Sequence, residues 1–282
     1  MKISPFVPLH FDDGSTSDGL PSRYMQLFAG TDHIVVQLEA ATGEEVADAV
    51  LKDAHTGTEL GTIPWNIWQM NSDKVILFCT LQGMSPGHYI LSIGDIDSDE
   101  FIVTDDAMLL DRTMLIQYRF KDNRQRDDVV SVIDHMPFFF DWRVPGGFKD
   151  SGWQFGVSNE QFVTQREDVV ELYAMDYVTK TFTMGGPEGV PVWCGEMLNR
   201  LLTCSYVYFN GVRYTRNESE TPSLSTLVDG LDSFVFTQTL RQAVVLDPRI
   251  EELNQVAMRR IDDTPTYRIG ADPSNVSITR II

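Results

Sequence analysis

The sequence predicts a mainly β protein: an N-terminal immunoglobulin-like β-sandwich over residues 30–105, then a larger β-rich (α+β) domain over residues 106–282 with one or two short helices. Three observations predict it. Short runs rich in β-branched and aromatic residues recur about every ten residues between turn signals. One stretch alone, after Pro191, repeats its apolar residues convincingly at helical spacing. The charge also changes near Asp106: residues 1–106 hold 17 acidic and 4 basic side chains, whereas residues 107–282 hold 24 and 18, as two units meeting there would show.

Residues 1–29 read as an extended arm, because Pro5, Pro8, Pro21 and the "DDGSTSDG" run oppose a helix. The strand candidates of the sandwich are "HIVVQLEA", "ADAVLKDA", "HTGTELGTI", "KVILFCTL", "GHYILSIG" and "DEFIVTDD", with a turn at Pro86-Gly87. An antibody-type domain would bracket a tryptophan with two cysteines, and this segment holds only Cys79. The expectation is therefore of architecture, not of descent. Trp65 and Trp68, in "IPWNIWQM", are assigned to the inter-sheet core, and their place at a proline-bounded bend keeps a surface role open.

Beyond Asp106, "MLIQYRF" and "DVVELYAMDYVTKTFTMG" are strand candidates. The basic stretch from Arg112 to Arg126 alternates with apolar residues and reads as a strand with solvated charges. A helix is predicted near residues 191–203: Pro191 suits its first turn, and Val192, Trp193, Met197, Leu198, Leu201 and Leu202 share one face that would cover a sheet. Asn210-Gly211 between two alternating runs predicts a tight type I′ hairpin, since both residues tolerate positive φ. "SFVFTQTLRQAVVL" is a further strand, "DPRIEELNQVAMRRI" a short helix, and "TYRIG" with "VSITRII" a closing hairpin.

Composition excludes several function classes. With 43% hydrophobic and 22% charged residues the chain folds, and it holds no run of about 18 apolar residues that would insert in a membrane. Its N-terminus lacks an apolar core and a small-residue cleavage site, so synthesis in a cytoplasm without a signal peptide is expected. A net charge of −19 opposes nucleic acid and anionic membranes as partners. Cys79, Cys194 and Cys204 have no metal-ligand spacing and read as buried free thiols.

No nucleophile elbow, phosphate loop or zinc-protease motif is present, so neither catalysis nor a cofactor is expected. Asp134-His135 is the sole adjacent acid–histidine pair, and strand neighbours point to opposite faces. Asp95, Asp97, Asp99 and Asp106 match positions 1, 3, 5 and 12 of a calcium loop, but Glu100 stands where that loop needs glycine and the flanks read as strands. A boundary turn is the favoured reading. His10, Asp12 and Asp13 form a still weaker metal set on the arm.

The densest aromatic stretch is "FFFDWRVPGGFKDSGWQFG", residues 138–156. Alternation sends Phe139 to the face opposite Phe138 and Phe140, so this strand is enclosed within the fold or covered by another subunit. Trp142 and Trp153 flank the Gly146-Gly147 turn and offer rings for stacking on a sugar or an incoming apolar side chain, against the alternative that they are core. The candidate contact residues are thus Trp65, Trp68, Trp142 and Trp153.

Four motifs carry a resemblance: the Arg-x-Pro-Gly-Gly-Phe turn at Arg143–Phe148, "FVTQ" at Phe162–Gln165, the Y-x-T-K-T-F-T-x-G strand from Tyr177, and the Val190-Pro191-x-Trp193 helix start. Over roughly residues 114–240 the chain resembles β-rich tail or baseplate structural proteins encoded by phages and prophage-like elements of Bacteroidales bacteria. The resemblance implies a structural assembly protein that acts through protein–protein interfaces. Its partners would be other copies of itself and other tail proteins, and its final location the virion tail. The alternative is a carbohydrate- or receptor-binding module that presents exposed tryptophans to a glycan, and an enzyme comes third.

Overall fold

The computed structural model describes residues 1–11, 23–149, 152–217, 223–226 and 232–243, together with the backbone of two C-terminal strands. The chain is mainly β, as the alternating patterns predict. The first strands are β1 (Lys2–Ile3), β2 (Gln26–Ala29), β3 (Ile34–Ala41), β4 (Ala49–Asp53), β5 (Glu59–Ile63), β6 (Asn66–Gln69), β7 (Lys74–Gln82), β8 (Gly87–Ile93), β9 (Ile96–Asp97) and β10 (Phe101–Thr104). They form two facing sheets. One runs β1-β3-β7 with β6 on β7, and the other runs β2-β10-β8-β4-β5 with β9 on β8.

Between the sheets lies one apolar cluster, in which Val36, Leu38, Leu77 and Cys79 of the first meet Leu51, Leu91, Phe101 and Val103 of the second. The six strands expected between residues 30 and 105 all form. "IPWNIWQM" departs from expectation: what reads as a bend is β6, paired antiparallel to β7 with Trp68 opposite Ile76. Residues 1–11 are held as firmly as a strand. Lys2 and Ile3 pair with β3, and Phe6, Val7 and Leu9 are buried.

A one-turn helix, α1 (Ala107–Leu110), links the two units; the Asp106 carboxylate caps it by accepting from the Met108 amide at 2.8 Å. The second unit comprises β11 (Thr113–Arg119), β12 (Val132–Ile133), β13 (Met136–Pro137), β14 (Phe140–Phe148), β15 (Gln154–Val163), β16 (Val169–Met184), α2 (Val192–Leu201), β17 (Tyr206–Phe209), β18 (Val212–Arg216), β19 (Ser223–Thr226) and β20 (Phe234–Gln242). Pairings β14-β11-β17-β18-β20-β16 return to β14, so six antiparallel strands close into a barrel. Closure removes the sheet edges that a β-rich unit would otherwise expose. Near its end β14 passes from β11 to β16 at Gly146, where φ is +150° and an added Cβ would lie 2.3 Å from the Thr183 carbonyl oxygen. Only glycine fits that crossing.

Asn210 and Gly211 carry positive φ between Phe209 and Val212, the tight two-residue turn that the sequence predicts. Helix α2 begins after Pro191 and buries Cys194, Met197, Leu198 and Leu201 in the second apolar cluster, while Val192, expected on the covered face, is exposed. Burial pushes the Cys79 and Cys194 thiols well above the ordinary thiol range, so both are poor nucleophiles. Arg119, expected to be solvated, is buried between the rings of Phe139 and Tyr206. The C-terminal strands β21 (Thr266–Ile269) and β22 (Ile278–Ile281) pair with each other, and β21 also runs beside β7. The helix expected over residues 247–261 lies outside the described residues.

The two units share a core. Phe6, Val35 and Ile76 of the first unit belong to the same cluster as Tyr118, Phe140, Trp142 and Phe182 of the second. Around that contact runs a set of long-range polar links. Arg143 donates to both oxygens of Asp32 at 2.7 and 2.8 Å, Gln37 exchanges two hydrogen bonds with the backbone of Val130, and the Tyr118 hydroxyl donates to the Phe6 carbonyl at 2.5 Å. The Asp32–Arg143 side chains are 3% and 12% exposed, which makes this a buried, bidentate pair and not a surface one. Arg143→Ala leaves the Asp32 charge without its partner and is expected to cost about 3–5 kcal/mol of stability. Urea unfolding checks this; a loss under about 1 kcal/mol would show that the pair behaves as a solvent-exposed one.

Candidate assembly interface

The residues singled out for chemistry do not converge. Asp134 and His135 have φ of +49° and +66° and form the turn between β12 and β13, where Ile133 faces Met136. They make a hairpin corner. Of the acidic run, Asp97 accepts from the Ser92 hydroxyl, Asp99 faces the His10 ring at 3.1 Å, and Asp106 caps α1. Their carboxylates serve separate partners, with Asp97 at the end of β9 and Asp106 at the start of α1. His10 stacks on Trp193 at 5.0 Å, while Asp12 and Asp13 lie outside the described residues. His10 and Trp193 help to line a cleft of about 790 Å³ between residues 1–11 and α2.

The four tryptophans have different fates. Trp142 is fully buried and its indole N–H donates to Gln26 at 3.2 Å, so it is a core residue at the joint between the units and not an exposed contact. The reason is strand parity: Trp142 shares its face with Phe138, Phe140 and Val144, all in one cluster. Phe139, on the other face, packs edge-on against Tyr208. Trp65 is partly buried against the sandwich core and donates to the Ala47 carbonyl at 2.8 Å. Trp68 is partly buried too, but against the core shared with the barrel. Trp153 alone is substantially exposed, at 47%, with the Lys180 ammonium 3.8 Å from its ring centroid.

Trp153 stands at the base of the most conspicuous feature, a long hairpin made by β15 and β16. The strands pair from Gln154–Thr179 to Val163–Val169, with a bulge that leaves Leu172 unpaired. Only Thr179 to Met184 of β16 also pair with the barrel. Residues 169–178 therefore project as a two-stranded ribbon about 33 Å long at the usual rise of ~3.3 Å per residue. The sequence makes this ribbon strand-like through Val157, Phe162, Val163, Val169, Val170, Leu172 and Tyr173, and the Thr164–Asp168 turn closes it with a backbone bond of 2.8 Å.

The ribbon is apolar on both faces and uncovered among the described residues. Phe155 is 79% exposed, Leu172 60% and Phe162 59%, and Val157, Val163, Val169, Tyr173 and Met175 join them. Register places Phe155, Val157, Val163 and Val169 on one face, with Phe162, Val170, Tyr173 and Met175 on the other. Its base is fastened to the barrel. The Tyr177 ring lies over Gly156, where an added Cβ would fall 2.4 Å from the ring, and the Arg241 guanidinium sits 4.1 Å from the Tyr177 ring centroid.

"DVVELYAMDYVTKTFTMG" is recognisable as a strand, but its partner "QFGVSNEQFV" and the projection of the pair are not. A second grouping, His55, His88 and Glu100, also escapes the sequence reading, because only strand register brings these residues together. No protein-family model and no curated protein matches this chain.

Removing the aromatic clamp tests how the ribbon is held. Tyr177→Ala uncovers Gly156 and releases Arg241, and it is expected to weaken the ribbon by about 1–1.5 kcal/mol. Amide hydrogen exchange should then run roughly tenfold faster across residues 154–178 while β11 and β17 keep their protection.

Proposed function

We propose that this chain is a structural assembly protein, of the tail or baseplate kind its sequence resembles, and that the β15–β16 ribbon is the element by which copies engage one another. The observation that carries this reading is the two-faced apolar ribbon. A hairpin of two strands alone is marginal in water, and exposed apolar surface of this extent marks a contact site. Its free strand edges offer unpaired backbone groups, and an identical ribbon on a second copy offers the same edges in return. Antiparallel pairing of two such edges satisfies those backbone groups, face-to-face packing of ribbons buries their apolar side chains, and engagement of a different surface head to tail builds a ring.

The tryptophan geometry favours this over glycan binding. Trp142 is enclosed, Trp65 and Trp68 are committed to cores, and Trp153 meets its exposed neighbour Phe155 at 42°, so no coplanar pair forms a sugar platform. The acidic net charge of −19 keeps unassembled copies apart until the ribbon finds its site.

Light scattering across a concentration series tests the reading on the full chain. The expected result is a mass that rises with concentration, and a shift to monomer in the Phe155→Asp and Leu172→Asp variants at unchanged melting temperature. A wild-type chain that stays monomeric at high concentration, or an oligomer that both variants leave intact, would overturn the ribbon as the self-association element.

A further inference from the structure

Among the described residues, one group of three His, Cys, Asp or Glu side chains brings its donor atoms together: His55, His88 and Glu100, with all three within 4.8 Å of one another. From this geometry we infer that the outer face of the sandwich holds a site for one late first-row divalent ion of the zinc class. The site lies far along the chain from the ribbon's residues and does not depend on the assembly reading.

The fold builds the grouping from three separate segments. His88 stands on β8 on the face opposite the buried Tyr89 and Leu91. On β10 its cross-strand partner is Ile102, so Glu100 is the diagonal neighbour on the same face, and Glu100 Oε1 lies 2.5 Å from His88 Nδ1. On the other side the turn after β4 delivers His55, whose ring centroid is 4.4 Å from that of His88. That turn is tied down. The Asp53 carboxylate accepts from the His55 and Thr56 amides at 3.0 and 2.7 Å, and the Ala54 amide donates to the His88 carbonyl at 3.0 Å. The donors are thus presented by backbone that is already fixed, which lowers the ordering cost of binding.

Donor type and spacing fit such an ion. Two imidazoles and one carboxylate are borderline ligands suited to zinc, cobalt or nickel, whereas calcium and magnesium prefer all-oxygen sets. Bonds of about 2.0–2.1 Å at tetrahedral angles set ligand atoms about 3.3 Å apart. Small side-chain rotations suffice: the His88–Glu100 contact opens by under an ångström and the wider separations close by up to about 1.5 Å. The exposed His55 ring and the partly buried His88 ring leave a fourth position for water. The segment that carries the site, residues 1–106, holds 17 acidic against 4 basic side chains, a balance that draws cations.

The test uses the full chain, freed of metal by chelator and dialysis. Zinc titrated by calorimetry is expected to bind with one equivalent, and cobalt to give the visible bands of a four- or five-coordinate ion. His88→Gln and Glu100→Gln, made singly, should each weaken that binding by about tenfold or more while metal-free melting stays unchanged. Absence of saturable stoichiometric binding in the wild type would overturn the inference. Wild-type affinity in both variants would do so too, since it would place the ion elsewhere.

Discussion

The buried pairing of Asp32 with Arg143 fixes where everything else sits. Asp32 lies in the loop before β3, where it also accepts from the Ala29 amide, and Arg143 lies on β14 at the strand that both faces of the barrel depend on. A charge buried to this degree is tolerable only with its partner in place. The relative position of sandwich and barrel is therefore set to hydrogen-bond precision. Gln26 extends the constraint: it accepts from Trp142 and donates to the Arg143 carbonyl, so β2 is locked to the same strand.

That constraint explains why residues 1–11 are ordered although they look like an arm. Phe6 enters the shared core, its carbonyl accepts the Tyr118 hydroxyl, and the Pro5 carbonyl accepts from Arg200 on α2. The segment closes a seam between three elements, and its prolines suit an extended path that need not supply every backbone donor to a ladder. The charge break falls near Asp106, where α1 follows β10. Charge says nothing of the apolar contact that joins the units, because the Val35 and Ile76 that make it are ordinary strand residues in sequence.

Much of the fold is legible locally, and most of the proposed interface is not. Period-two alternation and the Asn210-Gly211 turn need only neighbouring residues, and they predict the strands well. Barrel closure rests on β16 meeting β20 some sixty residues later, and nothing in either strand names the other. Parity along residues 138–144 is enough to group Trp142 with Phe138 and Phe140, so its burial was within reach of the sequence once that face is taken as core. The exposure of Phe155 and Leu172 was not, since an apolar strand predicts cover and only the strand pairing itself ends the barrel's contacts at Thr179. His55, His88 and Glu100 lack any motif spacing; they meet because β8 lies between β4 and β10.

The proposed assembly role needs an element whose direction is set before a partner arrives, and the ribbon's root sets that direction. β16 is one continuous strand from Val169 to Met184, so the projecting part inherits its direction from the part built into the barrel. At that root Trp153 stacks under Lys180 and Tyr177 under Arg241, while Gly146 brings β14 into contact with Met184. The barrel in turn is keyed to the sandwich through Arg143, one strand away. A load or a contact at the ribbon tip is thus passed along a single strand into a closed barrel and across a buried ion pair. The low intrinsic stability of a two-stranded ribbon then falls where it is useful, at the tip, which can adapt to a neighbouring surface while the base keeps its angle.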